Sequence, residues 1–216
     1  MKIGVVGGTG DIGEGMALRL STMHDVFIGS REEQKATALC EVCAAALGER
    51  GMSCSLEGAS NQQAVDEGDI VVIALPFKHV AATIRSLSGF ENKIVISPVN
   101  PIERSTYFYY APPPEGSAAL FIKGLMPESA TVCAAFNNIA ANRWKMLDEV
   151  LDYSVAVCCD EADAKRQVMD LVDSISELRA FDAGPLASAS LVESVTPLLL
   201  NIARYSGMKD VGIRFV

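Results

Sequence analysis

Three glycines near the amino terminus have the spacing of a phosphate-binding loop. In the stretch GGTGDIG (7–13), Gly8, Gly10 and Gly13 follow the apolar run KIGVV and precede a helical-looking segment. In this context Gly8 permits a tight turn, Gly10 lets the backbone approach a pyrophosphate, and Gly13 lets strand and helix pack closely. The free N–H groups at the start of the helix attract the anion. A glycine turn without a ligand is the alternative, but it would weaken the helix start for no gain.

The residues between these glycines complete the predicted dinucleotide-binding loop. The hydroxyl of Thr9 can donate a hydrogen bond to a phosphate, whereas Asp11 can favour the helix start but should point away from the anion. Ile12 opens the helix. The predicted cofactor contacts in this loop are therefore Gly8, Thr9, Gly10, Asp11, Ile12 and Gly13.

A second, looser glycine pattern begins at Gly7 and is typical of short-chain dehydrogenases and nucleotide-sugar epimerases. Those enzymes require a Tyr-x-x-x-Lys pair, in which the tyrosine acts as general acid or base. The one such pair here, Tyr205 and Lys209, lies in the last dozen residues and spans Gly207, where a helix should end. We therefore take the pattern that begins at Gly8 as the working one.

The residues at the end of the second predicted strand indicate which nicotinamide dinucleotide binds, NAD or NADP. An NAD site carries Asp or Glu there, about twenty residues after the loop, to bind the ribose 2′-hydroxyl. This chain has Ser30 and Arg31, with Lys35 one helical turn further on. Their hydroxyl, guanidinium and ammonium groups suit a 2′-phosphate, so we predict NADP(H) as the cofactor. In the alternative, Arg31 and Lys35 pair with Glu32 or Glu33 on a solvated helix face.

The segment ALPFKH (74–79) ends the fourth predicted strand, at the edge where nucleotides lie in such sheets. We expect the backbone at Leu75 and Pro76 to form a wall beside the nicotinamide ribose. His79 stands at the start of the next helix, where a positioning or capping role is favoured over a role as catalytic acid.

Residues for other kinds of chemistry are scarce. The chain has no nucleophile elbow, no zinc-type histidine set and no convincing carboxylate pair, so no catalytic residue is certain and no metal is predicted. Cys40-x-x-Cys43 lies inside a helical-looking run without a nearby His, which favours buried thiols in a reducing compartment. Hydride transfer between two ring systems needs proximity and orientation rather than a proton shuttle, and it suits this composition.

The order of the elements predicts an α/β protein with a Rossmann-type, doubly wound parallel sheet. Apolar strands alternate with amphipathic helices; we predict strands at 2–6, 25–30, 53–59, 69–75 and 93–99, and helices at 12–23, 32–48 and 61–68. Near 150 the pattern changes to a strand at 153–159 and helices at 161–176 and 190–205. We assign 1–150 to an NADP-binding domain and 151–216 to a small α/β C-terminal cap.

Composition limits the remaining function classes. Half of the 216 residues are hydrophobic, and the net charge of −9 argues against nucleic-acid binding. Apolar runs such as IVVIALPF (70–77) are too short to span a membrane. Because MKIGVVGG leads directly into a strand and a glycine turn, we expect no signal peptide and a cytoplasmic protein.

Five sequence blocks resemble the NADP-dependent reductases of the deazaflavin coenzyme F420. They are GGTGDIGEGMALRL, GSRE, SPVNP, AFNNIAA and the long carboxyl-terminal block DAGPLASASLVESVTPLLLNIARYSGMKDVGI. The resemblance runs nearly end to end. It implies reversible hydride transfer between NADP(H) and coenzyme F420, with carbon 5 of the deazaflavin ring stacked on carbon 4 of nicotinamide.

The resemblance also implies which residues hold the two cofactors. The NADP phosphates would be held by Thr9, Ser30, Arg31 and Lys35, and the nicotinamide side would be lined by Pro76, Phe77 and His79. The deazaflavin would face Asn137, Ile139 and the turn formed by Ala183, Gly184, Pro185 and Leu186. Some family members have His at the position of Asn137, so we assign Asn137 hydrogen bonding to a ring carbonyl or a phosphate. In the alternative, FNNIAAN (136–142) is a loop whose Asn side chains cap the next turn.

For two apolar segments, the sequence does not decide between a place in the core and a place in a subunit interface. In the last helix, Leu198, Leu199, Leu200 and Ile202 cover too wide an arc for a solvated helix, and Pro197 implies a kink or a helix start. The aromatic cluster TYFYY (106–110) raises the same choice, with a deazaflavin wall as a third possibility. The resemblance implies a homodimer or higher homo-oligomer, which favours a subunit contact for part of this surface.

Two other functions fit parts of the sequence. A non-catalytic NADP sensor would explain the lack of acid/base residues and the apolar last helix. An NADPH-dependent reductase of flavins, ferric ions or imines would use a related Rossmann domain.

Overall fold

The first half of the chain alternates strands and helices as the apolar pattern predicts. The computed structural model describes all 216 residues. Its first strands are β1 (Lys2–Val6), β2 (Asp25–Ser30), β3 (Ser55–Ser60), β4 (Ile70–Ile73) and β5 (Ile94–Ser97). Between them lie α1 (Asp11–Leu20), α2 (Glu33–Gly48), α3 (Asn61–Glu67) and α4 (Phe77–Arg85). The predicted ends differ from these by up to three residues.

The second half adds a hairpin, three strands and four helices. The hairpin strands are β6 (Ile102–Arg104) and β7 (Phe108–Tyr110), in the proline-rich aromatic segment to which the sequence assigned no element. There follow α5 (Ala118–Lys123), β8 (Thr131–Ala134), α6 (Ala141–Lys145), β9 (Ser154–Cys159), α7 (Ala162–Ser174) and β10 (Arg179–Asp182). A 3₁₀ turn, Leu186–Ser188, leads into the last helix, α8 (Ala189–Ser206).

All strands outside the hairpin form one sheet of order β10-β9-β8-β5-β4-β1-β2-β3. The six strands from β3 to β8 in this order run parallel, with register pairs such as Ile3–Ile70 and Ile94–Thr131. One face is covered by α1, α2, α6 and α7, and the other by α3, α4, α5 and α8. This doubly wound arrangement confirms the predicted Rossmann-type fold and brings the carboxyl ends of the parallel strands to one edge.

The last two strands run in the opposite direction. β9 pairs antiparallel with β8 through Cys133–Cys159, and β10 pairs parallel with β9. Core residues of β9 and α7 belong to the same cluster as those of β1 and α1. Residues 151–216 therefore continue the sheet and the core, and the boundary at 150 stays a prediction because no break in either marks it.

The cysteines lie mostly within the core, as predicted. All six are free, and only Cys54 is half-exposed. Burial raises the pKa of Cys40 to about 12 and that of Cys43 to about 11. These two thiols therefore stay protonated and unreactive at neutral pH.

The last helix agrees with the predicted one at 190–205 and extends one residue beyond each end. The segment Leu186–Ser206 is long and apolar enough to cross a membrane, although a core helix passes the same test. Here it packs on the hairpin. The side-chain amide of Asn201 accepts a hydrogen bond from the Phe108 N–H at 2.9 Å and donates one to the Phe108 carbonyl at 2.7 Å. It begins before Pro197, so the proline lies inside the helix rather than at its start.

The four apolar residues of α8 do not share one environment. Leu199 is buried, but Leu198, Leu200 and Ile202 remain exposed, so the helix is not fully buried within one chain. Of the segment 106–110, Thr106 and Tyr107 are exposed, while Phe108–Tyr110 form β7 against α8. The apolar surface on α8 is thus available for a subunit contact.

A buried carboxylate connects α8 to its surroundings. The Glu193 oxygens accept hydrogen bonds from the backbone N–H groups of Ala118 and Ala119, at 2.9 and 3.0 Å, and from the Tyr110 hydroxyl at 2.8 Å. Burial raises the pKa of Glu193, and the three donors oppose that rise. Glu193 therefore joins α8, the start of α5 and the hairpin at one point.

We expect Glu193→Ala to lower the free energy of unfolding by about 2–4 kcal/mol, because it leaves buried N–H groups without an acceptor. The matched control is Ser194→Ala, on the neighbouring and less buried residue, which should cost less than about 1 kcal/mol. Urea denaturation followed by circular dichroism measures both. Equal losses for the two variants would contradict this role of Glu193.

Candidate functional site

The glycine loop takes its shape from two hydrogen bonds and one left-handed residue. The Gly7 N–H donates to Asn61 Oδ1 at 2.9 Å, and the Gly8 N–H donates to the carbonyl of Gly29 at 2.9 Å. Gly7 has φ +74°, a conformation that L side chains rarely adopt. The tight turn that the sequence analysis assigned to Gly8 is therefore made by Gly7, and Gly8 serves close packing.

Close packing between Gly8 and Gly13 seats the helix on the strand. A Cβ atom on Gly13 would lie 2.4 Å from Gly8 Cα, which is too close for any side chain. This contact confirms that the pattern beginning at Gly8 describes the packing of α1 on β1.

Gly10 has a different environment from the other loop glycines. Its φ of −87° suits any residue, and a Cβ atom there would meet only the Gly7 carbonyl oxygen, at 3.8 Å. Neither backbone strain nor packing within the chain requires glycine at this position. Gly10 is also the N-cap residue of α1 and has no side chain to cap the first-turn N–H groups. Open space and uncapped donors at one helix start fit a pyrophosphate.

The side chains of the glycine loop differ in whether they face solvent or contact other parts of the chain. Thr9 is exposed beside Gly10. Asp11 points away from the cleft and pairs with Lys145 on α6 at 2.7 Å, and Lys145 also binds Glu14 at 2.9 Å. Ile12 packs against the main core, so it contributes its backbone to the loop rather than its side chain.

The loop opens into a cleft of about 490 Å³ at the carboxyl ends of β1, β2 and β4. Of the nineteen predicted cofactor residues, the structure brings eight together here: Thr9, Gly10, Ser30, Arg31, Lys35, Leu75, Pro76 and His79. The sequence analysis missed the other lining residues, which are Gly7, Glu32, Asn61, Ala74, Ala82, Thr83 and Ser86. A detectable signal existed for Asn61, because Ser60 and Gln63 form a capping box that places Asn61 in the first turn of α3.

The polar groups at the end of β2 differ in their partners. Ser30 Oγ accepts the Glu32 N–H at 3.2 Å, which leaves its own proton free to donate into the cleft. Lys35 Nζ pairs with Glu32 Oε1 at 2.6 Å, so the alternative of an ion pair on the helix face is realised for this residue. Arg31 makes no ion pair or side-chain hydrogen bond, and its guanidinium remains available for an anion.

The residues after β4 form the other wall of the cleft. Pro76 is the N-cap residue of α4 and its carbonyl accepts the His79 N–H at 2.9 Å, while the imidazole is exposed. Phe77 turns away from the cleft and packs edge-on against Phe121, with ring centroids 5.4 Å apart. Phe77 is therefore a packing residue of α4 and α5, unlike Pro76 and His79.

Asn137 lies at the end of β8 and is buried, with 3% of its surface exposed. Its Nδ2 donates to the Val99 carbonyl and to Asn100 Oδ1, each at 3.2 Å, and Thr196 of α8 donates to its backbone carbonyl at 2.7 Å. Asn137 Oδ1 has no partner. Because the Val99 carbonyl requires a donor, the unpaired atom is the acceptor. Both donations of the Asn137 amide are thus made within the chain, so it does not donate to a ring carbonyl or a phosphate, and its unpaired oxygen is enclosed in the fold.

The neighbours of Asn137 contradict two further expectations. The side chain of Asn138 donates to the Ser154 carbonyl at 2.8 Å, and α6 has no side-chain cap, so the two asparagines do not cap the next turn. Ile139 is buried in the main core rather than on the open face of the sheet.

The turn at 183–186 lies at the opposite edge of the sheet from the cleft. It follows β10, which runs against the parallel strands, and the Leu186 N–H donates to Asp160 Oδ1 at 2.9 Å. Asp160 also pairs with Lys123, at the end of α5, at 2.7 Å. The chain runs from α5 into the amino end of β8, so the turn lies near that end of the parallel strands. Within a single chain, the turn residues are therefore distant from the nucleotide site; they are Ala183, Gly184, Pro185 and Leu186.

The fold and cleft define a Rossmann-type protein with a site for a dinucleotide that carries a 2′-phosphate. Residues 2–101 match the family model "NADP oxidoreductase coenzyme F420-dependent". The chain is 35% identical to the F420-dependent NADP reductase of Methanocaldococcus jannaschii, over 99% of this chain and 97% of that protein. Identity to the F420-dependent NADP reductase of Methanothermobacter thermautotrophicus is 34%, over 99% of this chain and 94% of that protein. The chain belongs to the F420-dependent NADP reductase family.

A solved structure agrees with this fold. The crystal structure of a protein from Arthrobacter sp. FB24 has a TM-score of 0.79 and 24% identity, and the match covers 100% of this chain and 99% of that one. At this identity the likeness shows the fold alone, over the whole length of both chains.

We expect Gly10→Ala to leave the fold intact and to weaken NADPH binding at least tenfold, because the added methyl occupies the space kept for the pyrophosphate. Fluorescence titration with NADPH measures affinity, and thermal unfolding measures stability. Gly48→Ala is the matched control, since a Cβ atom at Gly48 meets nothing within 4 Å. Unchanged NADPH affinity in Gly10→Ala would exclude this loop from the site.

Proposed function

We propose that this protein transfers a hydride reversibly between NADP(H) and the deazaflavin coenzyme F420. The observation that carries the proposal is full-length similarity to relatives named F420-dependent NADP reductases. The cleft supports the NADP(H) half independently, through open space at Gly10 and an unpaired Arg31.

The chain's own residues bind and orient the nucleotide in this proposal. The uncapped N–H groups at the start of α1 and the Thr9 hydroxyl hold the pyrophosphate. Ser30 donates to the 2′-phosphate, Arg31 forms a charge-assisted contact with it, and Lys35 adds a further positive charge. The Leu75–Pro76 backbone and His79 position the nicotinamide end.

The second half of the proposed site lies between the ends of β5 and β8 and the helix α8. NADP(H) and F420, when bound, supply the hydride donor and acceptor, so no side chain needs to carry a proton. Asn137 would hold the ends of β5 and β8 in place beside the ring system, through its hydrogen bonds to Val99 and Asn100. Thr196 holds the Asn137 backbone from α8. We propose that residues 151–216 complete the site built on the NADP-binding residues 1–150, and this contact joins the two segments.

The direct test mixes purified protein with NADPH and oxidised F420 and follows the visible absorption of the deazaflavin. We expect it to bleach at catalytic protein concentrations and to return when NADP⁺ is added to reduced F420. Parallel reactions contain flavin mononucleotide or ferric ion instead. Turnover of only those acceptors would favour a flavin or ferric reductase, and tight NADPH binding without any turnover would favour a sensor.

We also propose that the protein forms a homo-oligomer and works in the cytoplasm. The exposed leucines of α8 support the assembly, because contiguous apolar surface on a protein of this kind commonly marks an interface. Six free cysteines suit a reducing compartment.

Sedimentation velocity tests the assembly. We expect a dimer or larger species for the unaltered protein, and a shift toward monomer for Leu198→Lys, since a charge would be buried in the contact. Val42→Lys serves as the control, because Val42 is an exposed apolar residue of α2, which covers the other face of the sheet from α8. A monomer at all concentrations would exclude the proposed assembly.

A further inference from the structure

We propose that Glu32 lowers the preference of this site for NADP(H) over NAD(H), because it competes with the 2′-phosphate for Lys35. This inference rests on the proposed NADP(H) function. Glu32 is the only carboxylate among the residues that line the cleft, and it stands between Arg31 and the start of α2. Its Oε1 lies 2.6 Å from Lys35 Nζ.

Of the two cationic side chains at the end of β2, one is unpaired and the other forms an ion pair. Arg31 has no partner in the chain, whereas Lys35 is held by Glu32 through an i, i+3 contact on one helical turn. The two paired side chains remain about two-thirds exposed, at 64% and 65%. Ion pairs with this exposure are weak and are screened by salt, so a phosphate dianion can displace the carboxylate from Lys35.

Displacement does not remove the Glu32 charge from the site. The backbone of Glu32 is fixed by its N–H bond to Ser30 Oγ at 3.2 Å. Its carboxylate therefore stays near any 2′-phosphate that binds Ser30, Arg31 and Lys35, and the two negative charges repel each other. A ribose 2′-hydroxyl carries no charge, and a carboxylate in this region can accept its hydrogen bond. Glu32 thus penalises NADP(H) and spares NAD(H).

The neighbouring Glu33 provides a matched control for the charge. It is exposed on the same turn, makes no ion pair, and does not line the cleft. Glu33→Gln removes one negative charge a single residue away, so it reports the general effect of net charge on binding a phosphate.

The experiment measures dissociation constants by calorimetry for 2′,5′-ADP, NADPH and NADH, with the full-length protein at low ionic strength. For Glu32→Gln we expect about 3- to 10-fold tighter binding of 2′,5′-ADP and NADPH and no tightening of NADH. Glu33→Gln should change all three by less than about twofold, and the gain in Glu32→Gln should shrink at high salt. Adding Lys35→Met to Glu32→Gln should remove most of the gain.

Three results would overturn the proposal: equal effects of Glu32→Gln and Glu33→Gln, equal tightening of NADPH and NADH, or weaker NADPH binding in Glu32→Gln. The last would show that Glu32 orients Lys35 for the phosphate. Arg31→Ala is the reference variant and should weaken 2′,5′-ADP. If 2′,5′-ADP does not bind the unaltered protein, both the NADP(H) site and this inference fail. Failure of F420 bleaching alone leaves these binding results intact and rejects only the deazaflavin half.

Discussion

The approach of α1 to β1 is the constraint on which the nucleotide site depends. Gly13 can lie against Gly8 only because Gly13 has no side chain, and this contact places the start of α1 directly at the carboxyl end of β1. Gly10 then lies where the helix donors are uncapped and the space above them is open. A larger residue at Gly13 would separate helix from strand, and the anion would lose the converging N–H groups.

The cations of the cleft must attract a phosphate within a protein that is acidic as a whole. With a net charge of −9, the chain has little general attraction for a phosphate, so local cations must supply it. Arg31 is free to do so, whereas Lys35 is shared with Glu32 and Lys145 is held on α6 by Asp11 and Glu14. Affinity for a 2′-phosphate therefore depends on few groups, and the partner of each one matters.

The carboxyl-terminal helix joins parts of the fold that are distant in sequence. Glu193 binds the start of α5 and the hairpin, Thr196 binds the backbone at Asn137, and Asn201 binds the hairpin strand β7. These contacts tie α8 to the ends of the central strands, where the second ring system is proposed to bind. A single helix thus stabilises the sheet edge, positions Asn137 and still exposes Leu198 to a possible subunit contact.

Local patterns in the sequence determined the parallel sheet, the glycine loop and the group at Ser30 and Arg31, because strand alternation, tight turns and charge are properties of neighbouring residues. The resemblance of the long carboxyl-terminal block identified the family. Tertiary structure decided what depends on distant contacts: Glu32 holds Lys35, Phe77 packs on Phe121, and the unpaired atom of Asn137 is its acceptor oxygen. It also placed the turn at 183–186 on the far edge, because the direction of β9 and β10 follows from their pairing with β8, which no local pattern encodes.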